Sequence, residues 1–282
     1  MPRSLTVTDR AARLLDAAAR LPEATGGRVR SLSVSSISEW RRCPERWRRR
    51  YLEGELEPAS PAMVAGSAVG ETEAASYLDQ AKFGEPWPTD QALDHFATVF
   101  DHRAANEPVE WGDEKPGEVK DRAAAALRTY HTQVPHTLRP AAVERKVEMR
   151  IGDLPWPVVG YLDLETADGR VHDLKLQRRK MTQQDADGSL QASCYLAARR
   201  AEGNPAPSFL FHAIVQTKTP QVELVETRRT IDRLNRFVEL CVITAAQIVQ
   251  ACELDMWAPA DPGSWVCSER YCGFWQACRR RL

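Results

Sequence analysis

The sequence predicts a mixed α/β protein in which helices flank a central β-sheet, with a helical N-terminal region and a cysteine-rich C-terminal tail. The pattern of apolar residues changes along the chain. Before Ala142 these residues recur at helical spacing, whereas from Ala142 onwards they alternate with charged residues, as in half-buried strands. Strand and helix patterns then follow one another, which is typical of a mixed sheet covered by helices.

The first half of the chain is predicted to be helical. Helices are expected over residues 5–21, 37–51, 62–78, 89–105 and 117–133. Ser36 is placed to cap the second helix, and Pro44 should break it just after Cys43, because proline has no backbone N–H to donate.

The second half is predicted to hold the sheet. Strands are expected over residues 143–151, 156–166, 170–176, 209–216 and 222–227, and helices over 189–202 and 231–254. Asp168 and Gly169 predict a tight hairpin turn between the second and third strands. We expect an N-terminal helix and linker over residues 1–30 and a single domain over residues 31–282. That domain would comprise a helical part (31–140), a sheet core (141–256) and the tail (257–282).

Composition is ordinary for a globular protein, with 43% hydrophobic and 27% charged residues. No apolar run approaches the length of a membrane span, and the first ten residues form no apolar signal region. We therefore expect a cytoplasmic protein with no membrane partner.

Local basic clusters are the only charge signal for a nucleic-acid partner, because the net charge is −1. A single cluster is as often a solvated helix face, but three of them beside candidate site residues favour a phosphate partner. The clusters are Arg41, Arg42, Arg46, Arg48, Arg49 and Arg50; Arg178, Arg179 and Lys180; and Arg279, Arg280 and Arg281.

Two acidic residues and a lysine stand on the predicted hairpin. Asp173 and Lys175 are two residues apart in a strand and so point to one face, and the hairpin brings Asp163 alongside them. Carboxylates suit Mg²⁺ or Mn²⁺, and a lysine can orient a water that attacks a phosphate. Taken alone, an Asp-x-Lys pattern is weak, and an exposed polar hairpin is the simpler explanation.

The seven cysteines fall into two groups. Three lie in apolar, helix-like surroundings and are predicted to be buried thiols: Cys194, Cys241 and Cys252. The other four are Cys43, Cys267, Cys272 and Cys278. Three closely spaced cysteines plus a remote one could hold either an iron–sulfur cluster or zinc.

The hairpin motifs, together with the helix after them, resemble the PD-(D/E)xK nuclease superfamily. The motifs are Gly160-Tyr161-Leu162-Asp163, Asp173-Leu174-Lys175, and Gln191 with Tyr195 four residues later. More narrowly they resemble its RecB-like exonuclease branch, in which an acidic residue such as Glu144 often opens the first strand. The resemblance runs from about Ser33 to Cys278 and implies a restriction-endonuclease-like core.

The resemblance also implies roles for the residues. Asp163, Asp173 and the Leu174 carbonyl would bind Mg²⁺ or Mn²⁺, and Lys175 would position the water. The site would be supported by the helical pair Gln191 and Tyr195.

One position departs from the branch, which usually places a metal-binding histidine after a Gly-Ser/Thr-Ala-Val pattern. Here Gly66-Ser67-Ala68-Val69 is followed by Gly70. Glu71 is the first candidate to replace the histidine and Glu73 the second. A weakened metal site is the alternative.

The four cysteines are similar to those of the AddB nuclease domain and of CRISPR-associated RecB-like exonucleases, which hold a [4Fe–4S] cluster. The spacing between Cys267 and Cys272 is wider than the commonest spacing between the corresponding cysteines of those nucleases, which leaves zinc as an alternative. Either group would tie the two ends of the chain together.

The function implied is that of a metal-dependent DNA exonuclease acting at single-stranded ends in phage or bacterial recombination or repair. A homo-oligomer or a recombination-protein partner would fit that role. Two alternatives stay open: a nuclease-fold DNA-binding protein with weak or no activity, and a zinc-stapled interaction protein.

Overall fold

The computed structural model describes residues 5–7 and 9–279. The helices of this part of the chain are Asp9–Ala12 (α1), Leu15–Ala19 (α2), Leu21–Ala24 (α3), Val34–Arg42 (α4), Pro44–Arg48 (α5), Pro61–Phe83 (α6), Thr89–Asn106 (α7), Pro116–Gln133 (α8), Gln183–Gly188 (α9), Leu190–Ala201 (α10), Ile231–Leu254 (α11) and Trp275–Arg279 (α12). The strands are Leu32–Ser33 (β1), Pro140–Met149 (β2), Val158–Thr166 (β3), Val171–Gln177 (β4), Phe209–Val215 (β5) and Gln221–Thr227 (β6).

The six strands form one mixed sheet. Strand β3 pairs antiparallel with β2 on one side and with β4 on the other, and β1 lies parallel beside its start. Strand β4 runs parallel to β5, and β5 is antiparallel to β6. A crossover through α9 and α10 connects the parallel pair, as parallel strands require. The predicted mixed sheet flanked by helices is thus confirmed.

Helices cover both faces of the sheet. One hydrophobic cluster packs α6, α7 and α8 against the sheet, and includes Phe96, Leu127 and Ile214. The other packs α4, α10, α11 and the N-terminal helices, and includes Trp47 and Phe211. Phe211 and Ile214 lie three residues apart on β5, so their side chains emerge on opposite faces.

Local capping fixes the helices that carry the site. Helix α6 begins with Pro61 after Ser60, whose hydroxyl accepts a hydrogen bond from Met63 N at 3.2 Å. Helix α10 begins after Ser189, whose hydroxyl accepts from Ala192 N at 3.2 Å. Both caps follow the preference for serine at this position.

The predicted helix break at Cys43 is confirmed, and several other details differ. Two short helices, α1 and α2, lie within the expected helix over residues 5–21. A third, α3, starts at Leu21 and carries Pro22 in its first turn, a position that tolerates proline. Ser33, and not Ser36, caps α4, because this helix starts earlier, at Val34. Three short elements, β1, α9 and α12, were not predicted.

One helix of the described chain, α11, is long and apolar enough to span a bilayer, contrary to the expectation of no such run. More than half of its apolar window is buried inside the protein, at 56%. It packs against α2, α3, α4 and α10. A core helix passes the same test of length and composition, and the packing of α11 is that of a core helix.

Candidate active site

Strands β3 and β4 separate where the predicted site residues lie. Their antiparallel pairing is confined to Leu164 with His172 and Glu165 with Val171. Asp163 therefore lies just beyond the last pair. A cleft of about 710 Å³ opens there, between these strands and α6. It is lined by Met63, Gly66, Ser67, Gly70, Glu71, Glu73, Ala74, Tyr77, Arg103, Glu144, Asp163, Leu174, Lys175 and Leu176.

Asp173 is held from two sides. Its side chain is only 1% exposed, and Lys175 Nζ lies 2.8 Å from its Oδ2, so the two side chains point the same way as predicted. Gln191 Nε2 donates a 2.6 Å hydrogen bond to its Oδ1. The pKa of Asp173 is raised to about 7, chiefly by burial; Lys175 acts against this rise and the carboxyl group of Asp163 adds to it. A bound cation would favour the ionised form of this carboxyl group.

Asp163 is bound to the backbone of the facing strand. Leu174 N donates a 3.2 Å hydrogen bond to Asp163 Oδ2. This bond replaces a backbone hydrogen bond between β4 and β3. In an extended strand the N–H and C=O of one residue point to the same side. The Leu174 carbonyl therefore faces the same gap between the strands.

Gly160 allows Tyr195 to pack against β3. A Cβ atom at Gly160 would lie 2.4 Å from Tyr195 Cε1, which is far closer than carbon atoms can approach. Burial raises the pKa of Tyr195, and a hydrogen bond with Gln191 opposes the rise. The close contact sets α10 at the distance from which Gln191 reaches Asp173.

Glu144 also belongs to the cleft. The register of β2 against β3 places it opposite Asp163, and its backbone φ is +48°. That left-handed conformation is uncommon for a glutamate, and such residues cluster at functional sites. Burial raises the pKa of Glu144, and the nearby Asp163 adds to the rise.

The two candidates for the missing histidine have different environments. Glu71 is 51% exposed and forms a 3.0 Å ion pair with Arg103. Glu73 is 1% exposed, and its Oε1 lies 2.7 Å from Nδ1 of His131, which is fully buried. Burial raises the pKa of Glu73, with His131 opposing it. Burial would lower the pKa of His131, but the hydrogen bond and charge of Glu73 raise it overall.

His131 was not anticipated from the sequence. It lies on α8, far from Glu73 along the chain, and no motif marks it. Only the packing of α8 against α6 brings the two side chains together.

The donor chemistry of the cleft fits a divalent cation. Asp163, Asp173 and the Leu174 carbonyl offer hard oxygen atoms, and Mg²⁺ usually keeps several waters and takes one or two carboxylates. Asp173 Oδ2 is buried without a well-aligned hydrogen bond and faces the Lys175 ammonium. Within residues 5–7 and 9–279, no group of three or more His, Cys, Asp or Glu side chains is arranged to hold a metal ion. Two carboxylates and one carbonyl oxygen suit a cation that binds few protein ligands and keeps several waters.

The four clustered cysteines line a second cavity, of about 360 Å³. They are Cys43, Cys267, Cys272 and Cys278. Cys43 caps α5, and its sulfur accepts hydrogen bonds from Arg46 N at 3.4 Å and Ala260 N at 3.3 Å. The start of α5 and the C-terminal tail thus meet around these thiols.

Six of the twelve residues in the predicted basic clusters form ion pairs with carboxylates in the described part of the chain. The pairs are Arg46–Glu57, Arg48–Glu45, Arg49–Glu45, Arg178–Glu114, Arg179–Asp185 and Lys180–Glu223. Arg280 and Arg281 lie outside the described residues. The clusters therefore support a phosphate partner less than the sequence alone indicated.

Comparison with solved structures finds the same fold elsewhere. The "Putative exonuclease" from Eubacterium rectale aligns with a TM-score of 0.56 at 12% identity, over 94% of this chain and 93% of that chain. The structure of SSO0001 covers 98% of both chains at 13% identity, with a TM-score of 0.38. A comparison with curated protein sequences finds no match.

A family model provides the assignment. Residues 31–279 match the model of the PD-(D/E)XK nuclease superfamily, and this range includes the hairpin, α10 and all four clustered cysteines. The mixed sheet, and the acidic pair with its lysine where β3 and β4 part, agree with that match. The chain belongs to the PD-(D/E)XK nuclease superfamily.

Proposed function

We propose that this protein is a divalent-metal-dependent deoxyribonuclease that acts as an exonuclease on single-stranded DNA ends. One observation carries the proposal. The buried carboxylate of Asp173 is held between Lys175 at 2.8 Å and Gln191 at 2.6 Å, and Lys175 lines a cleft together with Asp163. Burying a carboxylate in this way is costly, which is why such groups concentrate at functional sites.

The chain's own residues have distinct roles in this proposal. Asp163, Asp173 and the Leu174 carbonyl bind the cation, with Glu71 as the further ligand that the sequence suggests. A bound Mg²⁺ or Mn²⁺ would stabilise charge on the phosphate and favour ionisation of a bound water.

Lys175 points its ammonium group into the cleft and donates a hydrogen bond that orients the attacking water. Gln191 and Tyr195 hold Asp173 in place. The water loses a proton to the solvent as its oxygen bonds to phosphorus, the bond to the leaving sugar oxygen breaks, and that oxygen takes up a proton from the solvent.

The exonuclease assignment is supported by the structural likeness to the "Putative exonuclease" from Eubacterium rectale. The single-stranded preference, a cytoplasmic place in phage or bacterial recombination or repair, and a homo-oligomer or recombination-protein partner follow from the RecB-like resemblance. They form part of the proposal.

We also propose that the thiol-lined cavity holds a [4Fe–4S] cluster that ties the chain ends together, with zinc as the alternative. The shared cavity and the similarity of the four cysteines to those of RecB-like exonucleases support this proposal. Visible absorption with stoichiometric iron would test it. A colourless protein with stoichiometric zinc would refute it.

Cleavage of end-labelled linear and circular single-stranded DNA, with Mn²⁺ or with EDTA, tests the proposed activity. We expect linear DNA to be shortened from its ends only with Mn²⁺, and circular DNA to stay intact. Cleavage of the circle would overturn the exonuclease assignment. Binding without any cleavage would favour the inactive DNA-binding alternative.

A further inference from the structure

Two large aromatic side chains of the C-terminal tail are exposed side by side. Trp265 is 65% exposed and Tyr271 is 48% exposed. Their ring centroids lie 5.1 Å apart with an interplanar angle of 87°, so the edge of one ring faces the other. Tryptophan is highly buried on average in folded proteins, and exposed apolar groups that lie together mark binding sites. We call this pair the aromatic platform.

Hydrogen bonds hold the platform in a fixed shape. Ser268 stands between the two aromatic residues in the sequence. Its hydroxyl donates a 2.7 Å hydrogen bond to the Trp265 carbonyl, and its own carbonyl accepts from Tyr271 N at 3.1 Å. The Tyr271 carbonyl accepts a further hydrogen bond from Arg46 at 3.3 Å. The rings are therefore exposed and preorganised, which lowers the entropic cost of binding a partner.

Positive charge lies beside the platform. Arg270 is exposed, and its guanidinium carbon lies 5.5 Å from the centroid of the Tyr271 ring. Arg42 is also exposed, and it lines the thiol-lined cavity together with Val266, the neighbour of Trp265 in the chain. Among the residues that the structure describes, neither arginine forms an ion pair with a carboxylate. Both guanidinium groups are therefore free to contact an anion.

The carboxylates close to the platform are engaged. Glu57 forms a 2.7 Å ion pair with Arg46, and Glu269 accepts a 2.7 Å hydrogen bond from Gln276. Aromatic rings beside unpaired arginines suit single-stranded nucleic acid, because its bases can stack on the rings while its phosphates contact the arginines. A duplex would first have to unstack its bases. The chemistry of this surface therefore favours a single strand.

The tail that carries the platform lies near the active-site cleft. Gly273 N in the tail donates a 3.2 Å hydrogen bond to Glu57 Oε2. Met63, which follows Glu57 by six residues, lines the cleft. Six residues of chain span at most about 22 Å. A single strand of about ten nucleotides, with phosphates about 3.4 Å or more apart, is long enough to contact both the tail and the cleft.

We propose that the aromatic platform is a binding site for single-stranded DNA outside the cleft. Trp265, supported by Tyr271, stacks on a base, and Arg42 and Arg270 contact phosphates. The platform holds the strand at a distance from the end that enters the cleft. The inference rests on the proposed function and goes beyond it, because it names a surface of the tail that binds the substrate.

Binding of an end-labelled oligothymidylate of about 20 nucleotides, longer than the usual site of about 4–16, tests the platform. Fluorescence anisotropy on the full chain with EDTA measures the affinity without cleavage. Trp265→Ala should weaken binding by about fivefold or more, the loss expected for one base-stacking contact, and Trp265→Phe should retain most of the affinity. Phe83→Ala is the matched control, because Phe83 is a 78% exposed ring at the end of α6. Its affinity should match that of wild type.

Salt dependence separates stacking from charge. For single strands, the logarithm of the affinity falls with the logarithm of the salt concentration by about 0.7 for each phosphate that the protein neutralises. Arg42→Gln should therefore reduce the slope by about 0.7. Trp265→Ala removes no charge and should leave the slope unchanged.

Wild-type affinity in Trp265→Ala, an equal loss in Trp265→Phe or Phe83→Ala, or an equal loss of binding to a duplex of the same length would overturn the platform. A changed oligomeric state of Trp265→Ala, with DNA binding unchanged, would instead assign the two rings to a contact between two copies of the chain. Each of these results leaves the proposed nuclease function intact. Binding through the platform without Mn²⁺-dependent cleavage would overturn the nuclease function and keep the platform.

Discussion

Gln191 and Asp173 are joined by a 2.6 Å hydrogen bond that connects α10 to β4. The bond occupies Oδ1 of Asp173 and turns Oδ2 toward Lys175. The orientation of the central carboxylate is thus set by a helix on one face of the sheet. Mutations that move α10 should therefore affect the chemistry as well as the stability.

Replacing Gln191 by Glu should shift the pH dependence of cleavage. A second carboxyl group beside Asp173 would raise the pKa of Asp173 further above its present value of about 7, because like charges disfavour ionisation. Since the ionised form binds the cation, the pH midpoint of the cleavage rate should rise by about one unit. Gln191→Ala, which adds no charge, should lower the rate with a smaller shift. An unchanged midpoint in Gln191→Glu would contradict this view of the pair.

Gly160→Ala should destabilise the protein by about 1–3 kcal/mol, as overpacking in a dense core does. The new methyl group would clash with the Tyr195 ring, since its carbon would lie only 2.4 Å from Tyr195 Cε1. Urea unfolding measures the loss. Gly117→Ala is the control, because Gly117 lies in α8 and a Cβ there meets no atom of the described residues within 4 Å. Gly117→Ala should raise the free energy of unfolding by up to about 1 kcal/mol, because alanine has a higher helix propensity than glycine. Equal stability of the two variants would contradict the packing argument.

A buried chain of hydrogen bonds runs from the cleft wall to the β3–β4 turn. Its members are Tyr77, Tyr130, His212, His172, Thr166 and Asp168. The carboxylate of Asp168 only accepts, so Thr166 donates to it and each imidazole donates its single N–H toward the turn. Both histidines are neutral, because burial lowers the pKa of His172 to about 4 and that of His212 to about 3.

This chain predicts a loss of stability in acid. An unfolded histidine titrates near about 6.5. Below that pH the unfolded state binds more protons than the native state, so the free energy of unfolding falls until the folded pKa values are reached. His212→Gln removes one such group. Between pH 6 and 5, the free energy of unfolding measured in urea should fall with pH in both proteins. The slope for His212→Gln should be smaller than the wild-type slope by about 1 kcal/mol per pH unit. Identical slopes would show that His212 is not held neutral.

Cys43→Ser should abolish the visible absorption of purified protein and lower its thermal stability. Serine is itself a favourable N-cap, so the variant keeps the start of α5 and removes only the thiolate. Cys252→Ser is the control, since Cys252 does not line the thiol cavity. Iron content and the absorption spectrum provide the readout. Full iron content in Cys43→Ser would exclude Cys43 as a ligand.

Local sequence patterns were sufficient to predict the hairpin and its neighbours. Strand alternation placed Asp173 and Lys175 on one side, and the four-residue spacing of Gln191 and Tyr195 placed both on one helix face. These relationships depend only on backbone geometry. The ion pairs between Glu45 and the arginines three and four residues later were not predicted, although that spacing brings side chains together on a helix.

The partners of Glu73 could not be predicted in this way. His131 reaches it only because α6 and α8 pack together, and neither residue lies in a recognisable motif. Strand β1 has two residues, which is too short for any periodic signal. Tertiary packing, which leaves no local periodicity, determined both features.

The most direct test of the central claim is single-turnover cleavage of end-labelled single-stranded DNA with Mn²⁺ by wild type, Lys175→Ala and Lys82→Ala. Lys82 is an exposed lysine at the end of α6, away from the cleft lining, and controls for the loss of one positive charge. We expect Lys175→Ala to bind DNA normally and to cleave at least about 100-fold more slowly, as when a hydrogen-bond donor of an active site is removed, while Lys82→Ala matches wild type. Equal cleavage rates in all three proteins would contradict the claim that Asp163, Asp173 and Lys175 form the active site.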